Sequence, residues 1–144
     1  MAAERRAEVT WSGDLLHGEG VIESVGSGAF GPLPVSWAAR TEEPGGNTSP
    51  EELIAAAHAA CFSMALSSGL AQAGHAPESL STTATVTFVP GTGITKSVID
   101  VQGTVRGMDE AAFRDAAEAA KDGCPVSQAL KGNVELSVTA RLSG

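Results

Sequence analysis

The sequence predicts an α+β fold in which antiparallel sheets pack around a long central buried helix. Three observations carry this. Glycine-separated β-segments fill the first third, Leu53 to Ala76 contains no Asp, Glu, Lys or Arg, and later segments alternate strictly between apolar and polar residues.

The elements follow in chain order. Glu8 to Trp11, Gly20 to Val25 and Leu33 to Ala39 read as strands, and Thr41 to Thr48 is a loop by its Pro, Gly and Asn content. Ser49 is an N-cap, Pro50 suits the first helical position and Glu52 completes a Ser-x-x-Glu capping box, so a helix runs from Pro50 to about Ala73 and stops at Gly74. Its long uncharged surface calls for cover nearly all round, from the sheet of its own subunit and from a partner. Although the stretch is long enough to span a bilayer, its Ala, Ser, Gly, His and Gln content is too polar for a convincing span.

Thr83 to Val89 and Val98 to Val105 form paired strands with one solvated side. Asp109 starts a second helix, with Ala112, Phe113, Ala116, Ala117 and Ala120 at helical spacing and Gly123 as its stop, and Pro125 opens a short third one. Asn133 to Leu142 alternates as a last strand, Val134, Leu136, Val138, Ala140 and Leu142 sharing one face. The order βββ-α-ββ-αα-β is not that of a doubly wound sheet.

With 144 residues the chain forms one domain, 1–144. The 17 acidic and 9 basic residues give a net charge of −8 with no basic stripe, which argues against nucleic acid. The charged N-terminus, Met-Ala-Ala-Glu-Arg-Arg, reads as neither signal nor anchor, so no membrane attachment and a cytoplasmic location are expected.

The chemistry concentrates at two cysteines, Cys61 inside the apolar helix and Cys124 before Pro125. They match no CxxC or zinc spacing, and in a reducing cytosol they are reactive or inert before they are structural. Local physics makes Cys124 the more acidic thiol, beside free amides at a helix start, whereas burial raises the pKa of Cys61 unless a cation is brought to it. Arg40 is the candidate cation; the alternative is a surface pair with Glu42 or Glu43. His58 shares a helix face with Cys61, which permits a Cys-His hydrolase, but a histidine in a buried Ala-rich helix is more often a hydrogen-bonded core residue. A non-catalytic binding protein with buried thiols is a further alternative.

The segments Asn47 to Ala65 (NTSPEELIAAAHAACFSMA) and Gly123 to Lys131 (GCPVSQALK) closely resemble the OsmC and Ohr family of thiol peroxidases. His58, the Gln-Ala-Leu-Lys after Cys124 and Trp-Ser-Gly-Asp-Leu-Leu-His-Gly-Glu-Gly from Trp11 bring it nearest the osmotically inducible protein C branch. The resemblance runs from about Trp11 to Leu142. It implies that Cys61 is the peroxidatic nucleophile and Cys124 the resolving thiol, with Arg40 activating and Glu51 orienting that arginine. It further implies an intertwined homodimer, an organic hydroperoxide substrate, recycling by an external dithiol of lipoyl or other type, and no metal or bound cofactor. On one unbroken helix Glu51 and Cys61 lie ~15 Å apart along the axis and roughly 80° apart around it. Three arrangements remain: a helix break, a spanning Arg40, or Glu51 serving the partner's Cys61, the last being favoured because no Gly or Pro interrupts the segment.

Overall fold

The computed structural model describes residues 2–143, which divide between Leu53 and Ile54 into two compact units. In the first, β1 (Ala7–Ser12), β2 (Glu19–Val25) and β3 (Leu33–Val35) form an antiparallel sheet in that order. Gly20 makes the close approach of the three strands possible. A Cβ there would lie 2.6 Å from the Trp11 ring and 2.9 Å from Val35.

The strand expected over Leu33 to Ala39 ends at Val35, and a short helix α1 (Trp37–Thr41) replaces its second half. Ser36 is the cause: its backbone stays extended and its Oγ accepts from the Ala39 N–H at 3.1 Å, satisfying a free amide of the first turn. Arg40 therefore stands in the last turn of a helix and not at the end of a strand.

Helix α2 (Pro50–Gln72) is uninterrupted, so no break brings Glu51 closer to Cys61. Ser49 Oγ accepts from the Glu52 N–H at 3.2 Å, as its N-cap position predicts. The reciprocal half of the capping box is absent, because the Glu52 carboxylate accepts from the Thr48 hydroxyl at 2.7 Å instead. Cover nearly all round is not what one subunit supplies. His58, Phe62, Leu66 and Leu70, four apart along one stripe, are fully buried, while Ala56, Ala60 and Met64 face outward. A sheet has one inner face to offer and covers one side of a helix.

The second unit holds a sheet in the order β4 (Ser79–Val89), β5 (Gly93–Thr104), β6 (Glu135–Leu142). β4 and β5 are antiparallel and longer than predicted, because a tight turn closed by the Thr92 N–H to the Val89 carbonyl at 2.9 Å joins them directly. The β5–β6 pair is parallel, so this sheet is mixed. A parallel return requires a long crossover, here made by α3 (Glu110–Gly123) and α4 (Pro125–Leu130). Asp109 caps α3, its carboxylate accepting from the Ala112 N–H at 2.8 Å.

Phe62, Leu66 and Leu70 of α2 meet Ile99 and Val101 of β5, Phe113 and Ala117 of α3, and Cys124 in one core. Each large apolar side chain buried there contributes ~1.5–3 kcal/mol. Phe113 lies over Gly103, where a Cβ would come within 2.6 Å of its ring. The architecture is the predicted α+β class with a long central helix.

Candidate active site

Cys61 lies in the middle of α2, half-buried, and Cys124 is fully buried at the junction where α3 ends and α4 begins. Both are free thiols, and their sulfurs are within hydrogen-bonding reach of each other. Thus residues far apart in sequence are brought together as a pair. Burial pushes the Cys61 thiol above its ordinary value of 9.0, and the hydrogen bond to Cys124 and the charge of that group push the same way.

The free amide at the start of α4 opposes them. Pro125 has no N–H, and the next amide, that of Val126, lies against the Cys61 sulfur and pulls its pKa down. The Cys124 side chain makes no capping bond to its own helix. The expectation that this helix start serves Cys124 is therefore corrected: its amide serves the other cysteine, because Cys124 is turned into the core and Cys61 faces the helix start.

His58 is wholly buried with both ring nitrogens bonded, Nδ1 to Ser97 Oγ of β5 at 2.7 Å and Nε2 to Ser127 Oγ of α4 at 2.8 Å. Burial lowers its pKa from the ordinary 6.5, so the ring is neutral at pH 7, donating to one serine and accepting from the other. With both nitrogens engaged by serines, the ring has no lone pair aimed at a thiol. Sequence reading did not find either serine partner; Ser97 stands at an apolar position of β5 between Lys96 and Val98, and that misplaced polar residue was the available signal.

Arg40 and Glu51 form a two-pronged ion pair in the first unit. Arg40 Nε donates to both carboxylate oxygens at 3.0 Å and Nη2 donates to Oε2 at 2.8 Å. Glu51 is only 7% exposed, in the first turn of α2, where a helix start favours negative charge. Arg40 thus does more than pair with Glu42 or Glu43 at the surface. A planar fork held at several points fixes the guanidinium plane, and the Trp37 ring supports it with Arg40 Cζ 5.9 Å from the ring centroid.

Beside this pair is an apolar cavity of about 280 Å³ lined by Val9, Trp11, Ile22, Trp37 and Leu53, with Arg40 as its charged member. Phe62, next to Cys61 in sequence, is in the core with no exposed surface, because it falls on the buried stripe of α2. Among the described residues no group of three His, Cys, Asp or Glu side chains stands close enough to hold a metal ion.

Residues 43–139 match the family model described as OsmC-like protein. The chain is 42% identical to the peroxiredoxin OsmC of Escherichia coli K12 over 139 residues, covering 94% of this chain and 96% of that one. It is 33% identical over 96 residues to an organic hydroperoxide resistance protein of Xanthomonas axonopodis pv. citri, covering 66% and 68% of the two chains. Among solved structures, an organic hydroperoxide resistance protein OsmC from Legionella pneumophila shares its fold, with a TM-score of 0.66, 23% identity and coverage of 96% of this chain and 97% of the other.

Proposed function

Since the chain belongs to the OsmC-like protein family, we propose that it is a cysteine-based peroxidase that reduces organic hydroperoxides through Cys61 and Cys124. The observation that carries this reading is the reduced thiol pair, Cys61 partly buried and Cys124 fully buried beside it. The Cys61 thiolate attacks the peroxide O–O bond; the leaving oxygen takes a proton and departs as alcohol, and Cys61 is left as sulfenic acid. Cys124 then attacks that sulfur, water leaves, and a Cys61–Cys124 disulfide forms. An external dithiol, lipoyl-type or other, reduces it by exchange.

A thiol whose own surroundings hold its pKa up needs a cation to react at neutral pH. Arg40, oriented by Glu51, supplies it and polarises the leaving oxygen. The chain works as a single OsmC-like domain in a homodimer, with Glu51 and its Arg40 serving the Cys61 of the partner copy. An unbroken α2 and the uncovered Ala56, Ala60 and Met64 side of that helix, Met64 being 72% exposed, support this arrangement. The cavity beside Arg40 accommodates an alkyl tail, so organic hydroperoxides are preferred over hydrogen peroxide. A reducing cytoplasm suits the recycling step.

The test is turnover with a dithiol reductant. Cys61→Ser abolishes it, whereas Cys124→Ser consumes one peroxide and then stalls or overoxidises. Full multiple turnover in Cys61→Ser would overturn the assignment.

A further inference from the structure

We infer that His58 is a positioning residue for disulfide formation: it ties α4, and with it Cys124, to the helix that carries Cys61. The inference rests on the thiol-pair reading above and deepens it. Helix α4 is six residues long, too short to hold its shape unaided. Three of its neighbouring positions engage α2: Cys124 through the Cys61 sulfur, Val126 through its amide to that same sulfur, and Ser127 through His58 Nε2 at 2.8 Å.

The first two ties depend on Cys61 being a thiol. Once that sulfur carries oxygen, or a leaving group, its hydrogen bonds to Cys124 and Val126 rearrange. The His58–Ser127 bond does not involve the reacting atoms, and Ser97 Oγ at 2.7 Å holds the far side of the same ring. His58 therefore keeps α4 in register with α2 while the sulfur chemistry proceeds. Its place three residues before Cys61, matched by Ser127 three residues after Cys124, puts the tie one turn from the sulfurs on each helix. Without it, Cys124 meets the oxidised sulfur less often, and a second peroxide converts sulfenic to sulfinic acid first.

The closure step can be timed without peroxide, using the aromatic disulfide DTNB. The Cys61 thiolate, the more exposed sulfur, attacks DTNB, releasing one thionitrobenzoate and forming a mixed disulfide. Cys124 then attacks the Cys61 sulfur and expels the second thionitrobenzoate, so first and second release separate attack from closure. His58→Gln and Ser127→Ala should each slow the second release at least about tenfold, the equivalent of ~1.4 kcal/mol, while the first stays within about twofold of wild type. Ser127→Ala keeps the histidine and guards against a His58→Gln protein that fails to fold. Ile99→Val, a truncation in the core outside the two His58 bonds, should lower stability and leave the ratio of the two rates unchanged.

Second-release rates equal to wild type in both variants would overturn the inference, as would a ratio that shifts equally in Ile99→Val. Slowed closure in the two variants, from a wild-type chain that closes with DTNB but loses no thiol to cumene hydroperoxide, would support the tie and overturn the peroxidase reading alone.

Discussion

The backbone amide of Val126 lies against the sulfur of Cys61 and lowers its pKa, so the start of α4 favours charge on the cysteine of another helix, while Cys124, at the N-cap position of α4, makes no capping bond to it. Burial and Cys124 act in the opposite direction and prevail, leaving the Cys61 pKa above 9.0. The thiolate fraction at pH 7 is then small, and reactivity must rise with pH until another cation intervenes.

Iodoacetamide alkylation of Cys61 against pH reads that balance. In Arg40→Ala the rate should climb with a midpoint above 9.0, the direction set by burial and Cys124. In the wild-type chain Arg40 should bring the midpoint below that value. Equal midpoints would remove Arg40 from the chemistry of Cys61.

Peroxide kinetics rank the same residues. Arg40→Ala should lose at least about tenfold in kcat/KM for cumene hydroperoxide, equivalent to ~1.4 kcal/mol of transition-state stabilisation. His58→Gln should keep most of kcat/KM, which reports the peroxide step and not closure. The reverse ranking would favour a histidine base.

The neutral, buried His58 makes stability depend on pH in a definite direction. Its folded pKa lies below 6.5, so on acidification the unfolded chain takes up the proton first. The contribution is intact above 6.5 and is lost as pH falls through the lower, folded value. Urea midpoints measured at pH 7.5 and stepwise to pH 5 should fall for the wild type more steeply than for His58→Gln. Parallel curves would show that His58 takes up no differential proton.

Much of this molecule was legible from sequence because the signals were local. Ser49, Pro50 and Glu52 announced α2, and the alternation from Val134 to Leu142 announced β6. Helix α1 was missed because Leu33 to Ala39 is an apolar run that reads as strand, and the capping hydroxyl of Ser36 within it outweighs that pattern. The parallel direction of β6 has no local signature, since pairing partners such as Lys96 and Glu135 are set by the crossover between them. Likewise the Arg40–Glu51 fork spans a loop, and the serines that grip His58 come from β5 and α4. Arg40 and His58 stood out from the residues alone, but their partners did not: Glu51 was reached through the family motifs, and Ser97 and Ser127 not at all.

Whether Glu51 serves its own or the partner's thiol is decided by mixing subunits. In a purified heterodimer of Glu51→Ala and Cys61→Ser chains, the intact Cys61 belongs to the Glu51→Ala chain. Service across the dimer predicts wild-type activity per thiol. Activity as low as that of the Glu51→Ala homodimer would place Glu51 in its own subunit's site.

The central claim is that Cys61 and Cys124 are the two halves of one peroxide-reducing unit, and counting free thiols after a single equivalent of cumene hydroperoxide tests it most directly. The predicted result is loss of both thiols to one equivalent, with a Cys61–Cys124 peptide crosslink and a mass lower by two hydrogens. Retention of both thiols, or loss of one with oxygen retained on the protein, would contradict it.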